Sequence, residues 1–198
     1  MSIPALPAAS MVIIDDRPDL HVLVGKRRPG VFVGGLLVYP GGAVDPLDFE
    51  VGPMLLPGAA APGLSAAEAA AYLHAAVRES REEVGLWPDP SATLDGAGFA
   101  AVGHWITPED APRRYDTRFF LARHPGGVEP RICDDELVDL WWERPTDTLD
   151  RLERGELEAI APTVSFLTAL SHYRNVEDVF AGTDRGVRRE YEWGVTTF

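Results

Sequence analysis

Two apolar stretches open the chain, Ser10 to Ile14 and His21 to Arg27, each alternating and separated by Asp15-Asp16-Arg17-Pro18-Asp19. That pattern predicts strand, turn, strand. Pro29 and Gly30 end the second strand, and Leu36 to Tyr39 predicts another short one before Pro40-Gly41-Gly42. From Phe49 to Leu64 the chain is rich in Pro, Gly and Ala without a sustained period, which predicts a loop.

Ser65 to Gly85 carries the strongest helical signal. Ser65 and Glu68 have the S-x-x-E spacing of a capping box, and Gly85 can end the helix in the left-handed conformation. Leu73, Val77, Ser80 and Val84 fall on one face. Strands are predicted at Phe99–Ile106, Tyr115–Ala122 and Leu137–Trp142, and helices at Thr146–Arg154 and Pro162–Tyr173, with Pro162 suited to a first helical position. The stretch from Thr183 to Phe198 mixes Arg with aromatic residues and either docks as an arm or stays loose. Strands on both sides of one strong helix predict an α/β or α+β fold, a sheet with helices packed on it.

Composition narrows the function classes. The 198 residues are 45% hydrophobic and 25% charged, an ordinary globular balance that favours a single domain over 1–198. One cysteine, Cys133, leaves no internal disulfide framework and suits a reducing compartment. No apolar run approaches a membrane span, and Met1 to Ala9 lacks the pattern of a signal peptide, so a cytoplasmic protein is expected. The net charge of −13 argues against general nucleic-acid binding, because phosphate backbones would be repelled. A phosphorylated small molecule stays possible where carboxylates hold divalent cations, since the cations reverse the local field.

The segment Arg78-Glu79-Ser80-Arg81-Glu82-Glu83-Val84-Gly85-Leu86 carries the chemistry. Glu79, Glu82 and Glu83 stand at i, i+3 and i+4, so they share a face, roughly opposite Leu73, Val77 and Val84. Oxygen clusters of this kind suit Mg²⁺, although a solvated acidic face would give the same triplet. None of the five histidines has paired metal spacing.

With its surroundings, this segment resembles the Nudix family, whose box reads G-x5-E-x7-R-E-U-x-E-E-x-G-U with U a bulky apolar residue. Gly42 matches the leading glycine, and Arg78 to Leu86 match the second half except at Ser80, where an apolar residue is usual. Asp48 stands where the box has its first glutamate, and about 22 extra residues separate Gly42 from Arg78, coinciding with the loop at about 49–64. An interrupted box resembles the branch that includes peroxisomal coenzyme A diphosphatases. That likeness extends over Arg27-Arg28-Pro29, Val38 to Asp45, Tyr115 to Phe120, and Gly155-Glu156-Leu157 leading to Pro162-Thr163.

The resemblance implies a Nudix-type α/β/α sandwich with a mixed central sheet. It implies Mg²⁺-dependent hydrolysis of a phosphoanhydride bond, with Mn²⁺ able to substitute. Coenzyme A or an acyl derivative is the favoured substrate, with ADP-ribose, nucleotide sugars, NADH and dinucleoside polyphosphates as alternatives. A regulatory module that binds such a ligand without cutting it is the reading from another class, although modules of that kind typically lose box carboxylates. By position, Glu79, Glu82 and Glu83 are metal ligands, with the Gly42 carbonyl a further one, and Arg78 orients a box glutamate. Glu136, just before the Leu137 strand, is the expected base or fourth ligand. Arg27, Arg28 and Arg118 are candidates for gripping phosphates. A small-molecule diphosphate is the expected partner, and homodimers are common in the family.

Overall fold

The first strand, β1 (Leu6–Asp16), changes partner along its length, and the rest of the sheet follows from that. Its end pairs antiparallel with β2 (Leu20–Arg27), Ile14 opposite Val22. Its beginning pairs antiparallel with the short β4 (Gly41–Ala43), Ala9 opposite Gly42. Its other edge runs parallel to β6 (Tyr115–Arg123) from Leu6↔Tyr115 to Ile14↔Arg123. The structure, a computed structural model, describes residues 3–50, 63–87, 98–185, 188–191 and 194–197.

With β3 (Leu37–Val38), β5 (Phe99–Ile106), β7 (Leu137–Glu143), β8 (Arg188–Tyr191) and β9 (Gly194–Thr197), the described strands form one mixed sheet. Its order is β3-β2-β1-β6-β5-β9-β8, with β4 on β1 and β7 on β2. Helices cover both faces. α1 (Ala66–Val84) packs on one, where Leu73, Val77 and Val84 meet Met11, Ile13, Leu23 and Phe120. On the other, Phe166, Leu167 and Leu170 of α3 (Ala161–Leu170) and Val176 and Val179 of α4 (Val176–Arg185) meet Val12, Ile14, Val22 and Leu121. Leu149 and Leu152 of α2 (Pro145–Glu153) pack at that layer's margin. This is the expected mixed α/β sandwich.

β1 corrects one detail of the hydrophobic pattern. Met11, Val12, Ile13 and Ile14 are all fully buried, so this strand is a continuous apolar run covered on both faces rather than an alternating one. α1 follows its punctuation closely. Ser65 Oγ accepts the Glu68 N–H at 3.3 Å, Glu68 accepts the Ser65 N–H at 2.8 Å, and Gly85 closes the helix at φ +72°. Such a cap is worth about 1 kcal/mol.

α4 was not expected. Its start was legible all the same: Asn175 Oδ1 accepts the Asp178 N–H at 2.8 Å, a cap with the spacing of a capping box, and Val176, Val179 and Phe180 form its apolar stripe. The tail splits accordingly. Residues 183–185 end α4, and β8 and β9 dock as a hairpin on β5, with Thr196 Oγ1 2.9 Å from Ser165 Oγ. Within the expected loop, Phe49 and Glu50 finish a 3-10 turn (Pro46–Glu50), and residues 51–62 lie outside the described residues. No described helix is long and apolar enough to cross a membrane.

Candidate functional site

A cleft of about 460 Å³ opens where β1 passes from β2 to β4. Its walls come from the end of β2 and the following loop (Arg27, Arg28, Phe32), from β4 (Gly41, Gly42), from α1 (Glu79), and from Asp135 and Glu136 ahead of β7. Tyr115, Thr117 and Phe119, alternate residues of β6, also line it, as do Tyr39, Ile160 and Thr163. The loop after β2 holds Val33 at φ +52°, a left-handed conformation that is costly for a β-branched residue.

Arg78 organises the acidic end. Its guanidinium reaches Asp48 through Nε and Nη2 at 3.3 and 3.1 Å, Glu79 at 2.6 Å, Glu82 at 3.3 Å and the Ala43 carbonyl at 2.8 Å. Burial works against its charge, but the Asp48 and Glu79 hydrogen bonds hold Arg78 above its usual pKa. Asp48, only 6% exposed, is fixed in turn by accepting the Asp45 N–H at 2.8 Å. The shorter carboxylate at that place therefore serves as the anchor of Arg78, carried to it on the 3-10 turn.

The three glutamates differ in environment. Glu82 is exposed, Glu79 lines the cleft, and Glu83 is buried at 3% exposure and accepts the Gly41 N–H at 3.0 Å. The expectation of three carboxylates on a face opposite the core is thus corrected. The sheet's edge at β4 rises beside α1 and takes Glu79 and Glu83 against its backbone. A Cβ on Gly42 would stand 2.5 Å from Glu79 Cδ, so a larger residue there would push that carboxylate out of its present place. Burial pushes Glu83 up to about 8, and burial also raises Glu79. The Met11→Pro40 and Val44→Pro7 backbone bonds flank Ala9↔Gly42, and their alternation makes that a hydrogen-bonded pair. One lone pair of the Gly42 carbonyl is therefore committed to β1. Among the described residues, no three acidic, imidazole or thiol groups already converge as a metal cage, since Arg78 lies between Glu79 and Glu82.

Across the cleft Arg27 pairs with Glu136, and Arg28 with Asp135 at 2.8 Å. Glu136 is near enough to both Glu79 and Glu83 for their charges to act on one another.

A family model described as NUDIX domain matches residues 4–162, most of the chain. This chain belongs to the Nudix hydrolase family. A NUDIX hydrolase from Alicyclobacillus acidocaldarius superposes with a TM-score of 0.76 at 28% identity, covering 90% of this chain and 96% of that one. The NUDIX domain of Shewanella oneidensis NrtR, solved with ADP ribose, shares the fold at 15% identity and a TM-score of 0.53, over 84% and 86% of the two chains. "Putative nudix hydrolase 7" of Caenorhabditis elegans is 25% identical over 85% of this chain. The chain spans about three-fifths (61%) of that relative's length.

Within this Nudix fold, Glu79, Gly42, Arg27, Arg28 and Glu136 line one cleft, and Arg78, Glu82 and Glu83 adjoin it. Arg118 does not join them. Its neighbours Thr117 and Phe119 line the cleft, so the strand's alternation turns Arg118 to the opposite face, where it is buried near Asp116. Phe32, Tyr39, Arg113 and Tyr115 also line the Nudix cleft and were not named as site residues from the sequence, although Tyr39 and Tyr115 lie in stretches that resemble the coenzyme A branch. Trp141 and Trp142 pack on opposite faces of the sheet, as a half-buried strand pair should.

Proposed function

We propose that this chain hydrolyses a phosphoanhydride bond in a nucleoside-diphosphate-linked substrate, using Mg²⁺ or Mn²⁺. The observation that carries the reading is the packing of Glu79 and Glu83 against the β4 backbone while Arg78 gathers Glu79, Glu82 and Asp48. Carboxylates concentrated and partly buried in this way suit a hard divalent cation, and the glycine at position 42 leaves the space. Glu79, Glu82 and Glu83 would hold it, with the second lone pair of the Gly42 carbonyl as an added donor. Bound there, a divalent cation would supply charge neutralisation for a diphosphate and would lower the pKa of an attacking water.

The chain's own residues do the rest. Arg78 orients the ligand carboxylates, a task whose loss costs 10- to 100-fold in comparable sites. Arg27 and Arg28 bind phosphate oxygens from the opposite wall. Glu136, between them and Glu79, accepts the proton of the attacking water.

Coenzyme A or acyl-coenzyme A is the favoured substrate, on the interrupted box and the stretches around Tyr115 and Pro162. ADP-ribose is the second reading, favoured by the NrtR domain that shares the fold and was solved with that ligand. The test is a panel of coenzyme A, acetyl-coenzyme A, ADP-ribose, UDP-glucose, NADH and a dinucleoside tetraphosphate, incubated with Mg²⁺ and resolved by product mass. Coenzyme A should give 3′,5′-ADP and a phosphopantetheine. Turnover of ADP-ribose 100-fold better would remove the coenzyme A assignment. No turnover of any member would remove the hydrolase assignment.

A further inference from the structure

Among the described residues, six charged side chains line the cleft: Arg27, Arg28, Glu79, Arg113, Asp135 and Glu136. Five of them stand in ion pairs, Glu79 with Arg78 at 2.6 Å, Glu136 with Arg27, and Asp135 with Arg28 at 2.8 Å. Arg113 stands in none of the ion pairs among the described residues. Its hydrogen bond there is to a neutral group, Nη1 donating to the Tyr115 hydroxyl at 3.5 Å. The Tyr115 ring packs in turn on Phe32, with centroids 5.7 Å apart, so the guanidinium is steadied against the cleft wall. An anion that binds Arg27 or Arg28 must displace a carboxylate, whereas one that binds Arg113 displaces nothing. In a chain of net charge −13, this unmatched cation is where the cleft takes an added anion most readily.

Arg113 is also set apart from the acidic end. β4 and β6 flank β1, with Ala8 opposite both Ala43 and Thr117, so about 10 Å divides the β4 backbone from this part of β6. Arg113 lies two residues ahead of Tyr115, where β6 begins. A diphosphate held at Gly42 and Glu79 thus has Arg113 across β1 from it. A further phosphate, borne on the sugar of the same nucleotide, bridges that interval. Guanidinium matches its oxygens two at a time and keeps its charge at any working pH.

We propose that Arg113 binds a phosphomonoester on the substrate's ribose, separate from the diphosphate, and is a specificity-determining residue. The cleft then selects substrates built on a ribose-phosphorylated ADP over those built on plain ADP. Coenzyme A carries such a group and ADP-ribose does not. This rests on the reading of the chain as a nucleoside-diphosphate hydrolase. The two can fail separately, because nucleotide binding is measured without metal and without turnover.

The experiment uses the full chain in EDTA. Calorimetry measures the binding of 3′,5′-ADP, 2′,5′-ADP, AMP and ordinary ADP, which carries its extra phosphate at the 5′ end. At least one of the two ribose-phosphorylated nucleotides should bind about 5- to 10-fold tighter than AMP, a modest gain because Arg113 is exposed. Which of the two does so fixes the position of the phosphate. Arg113→Gln should bring that nucleotide down to the level of AMP and leave AMP and ADP unchanged. Arg113→Lys should keep part of the preference, since it retains the charge and loses the fork. Both variants should melt with the wild type. Two results would overturn the proposal. One is that neither ribose-phosphorylated nucleotide exceeds AMP, absence of all binding included. The other is that Arg113→Gln weakens all four by the same factor, as long-range attraction alone would do. Discrimination lost in Arg113→Gln, together with an inert Mg²⁺ panel, would instead remove the hydrolase reading and leave the subsite standing.

Discussion

Arg78 and Asp48 lie 30 residues apart in the chain and meet through two guanidinium nitrogens, Nε to Oδ1 at 3.3 Å and Nη2 to Oδ2 at 3.1 Å. The pair decides where Arg78 points, and Arg78 in turn decides where Glu79 and Glu82 point.

Asp48→Asn should therefore act on catalysis through the arginine. It keeps the side chain's size and removes the charge. The loss in kcat/KM should be 10- to 100-fold, with more Mg²⁺ needed for half-maximal rate. Because Arg78 is partly exposed, the stability loss should stay near 2 kcal/mol, about 5 °C in Tm. Unchanged Mg²⁺ dependence in a folded Asp48→Asn protein would separate the pair from metal binding.

Cation binding should also be visible without substrate. Mg²⁺ or Mn²⁺ should raise the Tm of the wild type, since a ligand that binds only the folded state stabilises it by mass action, about 2.7 kcal/mol at 100-fold excess over Kd. In Glu83→Gln that rise should vanish while the metal-free protein stays folded, because the buried amide still accepts the Gly41 N–H. An equal metal-induced shift in both proteins contradicts the assignment of Glu83.

Glu143 gives a pH signature remote from the cleft. Burial raises its pKa, but hydrogen bonds from Trp141, Arg151 and Thr148 outweigh burial and hold it below 4.5. A carboxylate depressed on folding adds stability that is present above its unfolded pKa and lost as pH falls through its folded one. Glu143→Gln should thus lower Tm by about 3 °C at neutral pH, roughly 1 kcal/mol after allowing for partial solvent screening. The difference should shrink as pH falls below the ordinary carboxylate range, because the depressed Glu143 is the last of these groups to take up its proton. A gap of constant size across that range would show that packing, and not the charge, stabilises this corner.

The phosphate-gripping arginines separate by face. Arg27→Ala should raise KM at least 10-fold, since Arg27 lines the cleft. Arg118→Ala should leave KM unchanged and lower Tm, since Arg118 is buried on the opposite side of β6. A KM effect at Arg118 equal to that at Arg27 would put both side chains on the substrate.

The helix at α1 was legible to its caps, because Ser65, Glu68 and Gly85 act within a few residues of one another. So were the positions of most strands along the chain, although not their order in the sheet. Three things were not. The burial of Glu83 depends on the β4 backbone, 42 residues away, and no helical wheel contains it. The facing of Arg118 depends on the parity of β6, which the run Arg118-Phe119-Phe120 hides because both faces of that strand are covered. Tyr39 reads as an ordinary strand aromatic until the cleft beside it is known. α4 is a different case, since its Asn175–Asp178 cap was in view and its short stripe was passed over.

Glu136 is where geometry and chemistry are most tightly joined. It lines the cleft opposite Glu79 and pairs with Arg27, while its own N–H is fixed by Asp134 Oδ1 at 2.9 Å. Asp135 lies beside it but is taken by Arg28. If Glu136 receives the water's proton, Glu136→Gln should lower kcat 100- to 10,000-fold with little change in KM. If it holds a cation instead, raising Mg²⁺ should recover much of the loss. If its only task is to hold Arg27, then Glu136→Gln and Arg27→Ala should alter KM alike and leave kcat nearly intact. Those three kinetic patterns do not overlap, and a normal kcat with a normal KM would take Glu136 out of the reaction and turn the search to Asp135.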